Sequence, residues 1–454
     1  MDRSPAGITT HRPWRPRFLV DSPDRLGSTG EMELTSESRR HQGVAVVALA
    51  AASVAALVAV RATPSAPSGT VPSSTSVPVV ASTSIGVPPR RLTAKTRLVR
   101  HFEYVLPDGE IDVYDIDRGH RRVQRILLPQ ARGIRGAVAS VRTGILYVSY
   151  GGDGGGNGNG SMLAYDLVRE RVLWQRSYGA GIDSMAVTPD GKTIYMPEGE
   201  QSRTPDWFVI RAATGEPTGV ITAGAGPHNT VVGLDGAYVY LGGRNDPYLS
   251  VASTSTNAIV KKIGPLRGGV RPFTVNGTQT LVFTTATGFL GFQASSLETG
   301  RVLYTVDLRD LGFLYDPKTF VPSTPSHGIS LSPDEKQVYV MDAANSIIHV
   351  FDVSGLPAAA PVHLADVKLP HALVGSESPC LYDCLRDGWV QHSRDGRYVY
   401  VGDSGDVIST KARTVVAFLP ALRNSRKSLE IDWRRGHPVA TTSRHGLGYV
   451  RTRR

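Results

Sequence analysis

"SHGISLSPDEKQVYVMD" (326–342) joins two apolar runs through a Pro-Asp turn and carries Tyr339 in the second run. "IDSMAVTPDGKTIYMPE" (182–198) and "HNTVVGLDGAYVYLGG" (228–243) repeat the pattern around Tyr195 and Tyr240. The series is extended by Tyr147, Phe283, Tyr400 and Tyr449. Asp-Gly between alternating apolar runs is a hairpin signal, because glycine tolerates the positive φ that such turns need. Recurrence at roughly 40–50 residues is the mark of a β-propeller. The expectation is an all-β, seven-bladed ring in which each unit is the inner strand pair of one blade.

A second hairpin type alternates with the first, as in "FVIRAATGEPTGVITA" (208–223) and "FLGFQASSLETGRVLYTV" (289–306). These read as the outer strands. The hairpin 111–128 has no inner pair before it, and the inner pair 438–450 has no outer hairpin after it. The two are expected to share one blade, which ties both chain ends into the ring and protects the sheet edges. The sequence has 48 Gly, 30 Pro and 41% hydrophobic residues, in keeping with one closed β architecture over 96–454.

Residues 44–60, "VAVVALAAASVAALVAV", carry no charge and follow Arg39 and Arg40. The run is short for a spanning helix and long for a signal-peptide core. A cleaved signal peptide and a retained membrane anchor both fit it. "SRRHQG" (38–43) faintly resembles a twin-arginine export signal but lacks the apolar residue expected after the arginines. Residues 1–43 are read as a cytoplasmic tail or an extension ahead of a start at Met32. Residues 61–95 are a Ser/Thr/Pro-rich linker. Positive charge before the run puts that side inside, so the ring is expected to be extracytoplasmic. Cys380 and Cys384 then read as a local disulfide; a soft-metal site with His371 or His392 and a pair of free thiols are the alternatives. His392, on an inner strand, reads more simply as a hydrogen-bonded core histidine.

In a propeller the loops before each innermost strand and those joining the second and third strands share one face. Twelve residues before the aromatic marks stand Arg135, Asp183, His228, Arg271, His327, Gly388 and His437, with Asp387 beside the glycine. Arginines there can hold a carboxylate or phosphate. His228, His327 and His437 can ligate a divalent metal, the one candidate cofactor, with Asp183 as an oxygen ligand. The plain alternative is a wet channel mouth whose side chains cap strands or bind water. Two long loops, 307–326 and 363–388, fall on the same face. "GGDGGGNGNGS" (151–161) reads as a flexible glycine loop or, through Asp153, Asn157, Asn159 and Ser161, a calcium loop. Asp403 and Asp406 in "GDSGD" are a carboxylate pair available for acid/base work or merely a polar turn. Catalytic residues are not assignable: there is no G-x-S-x-G, H-E-x-x-H, C-x-x-C-H or phosphate loop.

The formal net charge is +10, partly from the N-terminal segment and the tail "RTRR", without a Lys/Arg run interleaved with aromatics. Nucleic acid is therefore not an expected partner. A small molecule or a protein is, with the membrane as a contact through 44–60 and a monomer as the expected state.

The quoted repeats resemble the YVTN-repeat, YncE-like β-propellers, whose superfamily includes lactonase-like propellers and the quinoprotein amine dehydrogenase β-chain-like fold. The resemblance spans about residues 100–454, although the tetrapeptide YVTN is itself absent. It implies the fold, while no catalytic motif of those enzymes maps onto this chain. The leading function is ligand binding on the channel face. A lactonase-like hydrolase, an oxidoreductase-associated subunit and an inert scaffold are the rivals. A reporter active only in the cytoplasm, fused after Arg454, is expected to be silent; reporter activity there rules out export of the ring.

Overall fold

The computed structural model describes residues 98–151, 159–179, 181–318, 325–375, 385–425 and 427–442. The 44–60 run, Cys380, Cys384 and Tyr449 lie outside them, as do Asp153 and Asn157 of the glycine loop. Among the described residues no helix is long and apolar enough to cross a membrane.

The chain opens with β1 (Arg100–Val105), β2 (Glu110–Asp115) and β3 (Arg121–Leu127). Six four-stranded antiparallel blades follow. Blade one is β4 (Ile134–Ser140), β5 (Ile145–Tyr150), β6 (Ser161–Asp166) and β7 (Arg171–Ser177). Blade two is β8 (Ala186–Val187), β9 (Thr193–Pro197), β10 (Asp206–Arg211) and β11 (Glu216–Thr222). Blade three is β12 (Pro227–Val232), β13 (Tyr238–Gly243), β14 (Leu249–Ser253) and β15 (Ile259–Ile263). Blade four is β16 (Val270–Val275), β17 (Leu281–Ala286), β18 (Gly291–Ser296) and β19 (Val302–Asp307). Blade five is β20 (Ile329–Leu331), β21 (Gln337–Asp342), β22 (Ile347–Asp352) and β23 (Val362–Lys368). Blade six is β24 (Trp389–His392), β25 (Tyr398–Gly402), β26 (Asp406–Ser409) and β27 (Thr414–Phe418). The chain then supplies β28 (Ser428–Arg434) and β29 (His437–Thr441), which join β1–β3 in the order β29-β28-β1-β2-β3. The protein is a seven-bladed β-propeller.

The aromatic marks Tyr147, Tyr195, Tyr240, Phe283, Tyr339 and Tyr400 sit on the second strand of their blades and are fully buried. Each packs into the core shared with the next blade: Tyr147 clusters with Met185 and Ile194, and Tyr400 with Val105 and Tyr114. Several hydroxyls find partners beyond the interface, including Tyr195 on Asn257 Oδ1 (3.0 Å) and Tyr240 on Gln279 Oε1 (3.0 Å). Burial of a large ring explains why the position is aromatic, and hydroxyl partners such as those of Tyr195, Tyr240 and Tyr400 suit tyrosine there.

Closure differs from the expectation in detail. The N-terminal outer hairpin, β2–β3, does share a sheet with the C-terminal segment. However, the inner pair of that blade is β28 with β1, not 438–450. Its aromatic mark is Tyr104 of β1, which packs against blade one and accepts a hydrogen bond from Trp433 Nε1 at 3.1 Å. β29 is an additional strand on the inner edge of β28. Residues 363–368 are likewise strand β23, so the expected loop 363–388 begins only after Lys368.

Trp433 is the closing side chain, packed where the two chain ends meet. Trp433→Ala is expected to cost about 3–5 kcal/mol, the usual range for deleting a core aromatic. Chemical denaturation checks this: a loss below about 1 kcal/mol would show that closure does not depend on that contact.

Candidate functional site at the channel mouth

Inner strands run from the mouth towards the hairpin turns. Arg135, His228 and Arg271 are each the second residue of an inner strand. In β4, β12 and β16 the register with the neighbouring strand slips at that residue. Such bulges re-aim one side chain without ending the ladder. Asp183, His327 and Asp387 stand just ahead of β8, β20 and β24. Close approach of the inner strands is needed here: a Cβ on Gly136 would lie 2.7 Å from Ser149 Oγ and 3.0 Å from the Asp183 carbonyl oxygen.

The five residues Arg135, Asp183, His228, Arg271 and His327 come together. His437 does not. It lies in β29, exposed, at the opposite end of the channel, because the last inner strand is β28 and the count from Tyr449 started in the wrong segment. The mouth is also not a wet rim. Arg135, Asp183, His228, Arg271, His327 and Asp387 are all buried.

Glu200 organises the cluster. It belongs to the loop between β9 and β10, on the same face. Its carboxylate accepts from Arg135 Nη2 at 3.3 Å and Arg271 Nη1 at 2.9 Å, and Arg244 Nη1 stands 2.8 Å away. Arg135 Nη2 also reaches Asp183 Oδ2 at 3.4 Å. Around His327 the array turns acidic: its Nδ1 lies 3.0 Å from the Gly388 carbonyl and 3.1 Å from Asp387 Oδ1. Asp403 Oδ2 accepts from the Gly388 N–H at 3.2 Å, and Lys427 Nζ lies 5.5 Å from the Trp389 ring centre. Of the paired carboxylates, only Asp403 joins the mouth. Asp406 is bonded by His371 Nδ1 at 2.6 Å and by the Ser404 hydroxyl. His392 is a buried core residue on Ser330 Oγ (2.8 Å).

Burial dominates the titration of these groups. It pulls His228 down to about 4 despite the neighbouring Asp183 and Glu200, leaving a neutral imidazole at neutral pH. Burial works against the charge on Asp183 and Glu200 too, but the His228 N–H and the arginines overcome it and hold both carboxyls below their ordinary range. Asp387, with less compensation, is pushed well above that range by burial. Burial raises Asp403 to about 6. With its Nδ1 at 2.7 Å from Asp183 Oδ2, neutral His228 carries its proton there. Its Nε2 makes no hydrogen bond among the described residues. Ring centres of His228 and His327 are 5.8 Å apart. The arrangement can hold an anion on its guanidinium groups or accept a proton at His228 Nε2. Asp183, Glu200 and His228 also lie close enough together to share a cation.

Against known proteins the chain matches no family model and no curated protein. Among solved structures it is similar to hydrazine synthase from Kuenenia stuttgartiensis, at 16% identity over 70% of this chain and 88% of that one, with a TM-score of 0.45. That is a likeness of fold alone.

Because the folded pKa of His228 lies below its ordinary 6.5, its contribution to stability is present above about 6.5 and lost as pH falls through about 4. Imidazole ¹⁵N shifts should therefore show His228 as the neutral Nδ1–H tautomer at pH 7 and unprotonated at Nε2 down to about pH 5. A doubly protonated ring at pH 6 contradicts the geometry. Glu200→Gln should cost about 3–5 kcal/mol by leaving buried guanidinium groups under-compensated.

Proposed function

We propose that the protein is an exported, YncE-like propeller that binds a small anionic ligand, a carboxylate or phosphate, at the channel mouth. The observation that carries this reading is the set of three guanidinium groups, Arg135, Arg244 and Arg271, that converge at the mouth around Glu200, with Asp183 beside Arg135. Guanidinium forks brought this close together, in a site of low dielectric, suit two-point bonds to carboxylate or phosphate oxygens. Arg244 is the least buried of the three, so a ligand's oxygens would meet it first.

A hydrolase is the second reading, favoured by His228: an imidazole with Asp183 on Nδ1 and an available Nε2 is built as a general base.

Thermal-shift and calorimetric titration with phosphate, oxalate and citrate tests the proposal. At least one should stabilise the protein in a salt-sensitive way. Arg271→Lys and Arg244→Lys keep the charge but lose the fork, and each is expected to weaken binding by about 1.5–3 kcal/mol. Lack of stabilisation by any of the three anions, or lysine variants that bind like the parent, overturns it. Turnover of a lactone or ester by the parent but not by His228→Ala would establish the hydrolase instead.

A further inference from the structure

The opposite end of the ring holds a second polar cluster, at the seam between blade six and the closing blade. One residue before the aromatic mark, six blades carry Leu146, Ile194, Val239, Val282, Val338 and Val399, all fully buried. The closing blade carries Glu103 there, equally buried. Glu103 is paired across the ladder with Glu430, and His101 with Asp432. Directly opposed residues project to the same face with Cβ atoms about 5 Å apart, so all four side chains face blade six. Phe102, Tyr104, Leu429 and Ile431 face the apolar core with blade one instead.

His101 Nδ1 lies 2.8 Å from Asp432 Oδ1 and 3.3 Å from Glu430 Oε1. Arg394, in the hairpin turn of blade six, ties down the outer oxygens: its N–H reaches Glu430 Oε2 at 2.6 Å and its Nη1 reaches Asp432 Oδ2 at 2.9 Å. Neither oxygen of Glu103 makes a hydrogen bond among the described residues. Glu103 and Glu430 stand directly opposite each other across the ladder, and both are buried. A buried carboxyl without a bond is costly, and a second one beside it adds repulsion.

We infer that His101, Glu430 and Asp432, backed by Glu103, form a binding site for a divalent transition-metal ion of the zinc class. A cation with bonds of about 2.0–2.2 Å needs donors roughly 3–3.5 Å apart; His101 Nδ1 stands 2.8 and 3.3 Å from its two carboxylate oxygens, and the three ligand atoms lie within 4.8 Å of one another. One imidazole among carboxylates suits zinc or manganese better than magnesium or calcium. Arg394 then takes the part of an outer group that orients the ligating carboxylates. His101 is 26% exposed at its side chain and provides the way in. The site is independent of the mouth.

Zinc titration of the full-length, chelator-stripped protein tests this, with Co²⁺ absorption as a second readout. The parent should bind Zn²⁺ and melt at a higher temperature with it. His101→Ala, at the partly exposed edge, should fold and weaken that binding by more than about tenfold; Asp432→Asn should abolish it. His228→Ala, at the mouth, and His363→Ala, in a separate His349/His363/Asp366 group on the outer strands, should retain it. The inference is overturned if the parent binds no zinc, if His101→Ala binds as the parent does, or if the binding disappears with His228→Ala or His363→Ala instead. Should Asp432→Asn fail to fold, His101→Ala still decides.

Discussion

Six residue pairs between β1 and β28, joining the two ends of the ring, are the constraint on which the other blades depend. Without that ladder β1 presents a free strand edge, the core around Tyr104, Ile431 and Leu146 opens, and blade six loses the surface that covers Tyr400. Every blade interface is formed the same way, by an aromatic from one sheet and aliphatics from the next. No blade buries its faces alone, so the fold holds as a closed set. Closure also fixes the radius at which the inner strands stand, and so how closely the residues at the mouth are crowded.

That crowding explains the electrostatics. Arg135, His228 and Arg271 leave their strands at bulges and reach a volume already occupied by Glu200 and Asp183. In water these charges would interact weakly; here desolvation decides which groups keep a proton. His228 loses its charge, Glu200 keeps it, and Asp387 is driven the other way. The mouth is a balance of buried charges set against one another.

Internal repetition made much of this legible from the sequence. Each mark is fixed by the same packing need, so Tyr147 through Tyr400 could be aligned and a count of twelve residues carried five polar positions to one place. The count failed where the chain is not continuous. The inner pair of the last blade is split between 100–105 and 428–434, so no hairpin signal marks Tyr104, and counting from Tyr449 led to His437 at the far end. Glu200 and Arg244 were not found by counting because they sit in loops between second and third strands, which vary in length from blade to blade. Their face was nevertheless known, and an acidic or basic residue in such a loop was the signal available. Glu103 hides in an ordinary alternation, "HFEYV"; only its cross-strand partner, far along the chain, makes it unusual.

The ladder also sets the order of events as the chain is made. Trp433 meets Tyr104 across 329 positions of sequence. At 5–20 residues per second, synthesis of that stretch takes roughly 15–65 s, and until it ends β1 has nothing to pair with on its inner side. A strand waiting that long with open N–H and C=O groups invites the wrong neighbour, and charged residues pointing inward from it are a known safeguard. His101 and Glu103 lie on the face of β1 that blade six will cover, so the side chains that crowd the finished seam are the ones that keep the nascent edge from sticking to another chain.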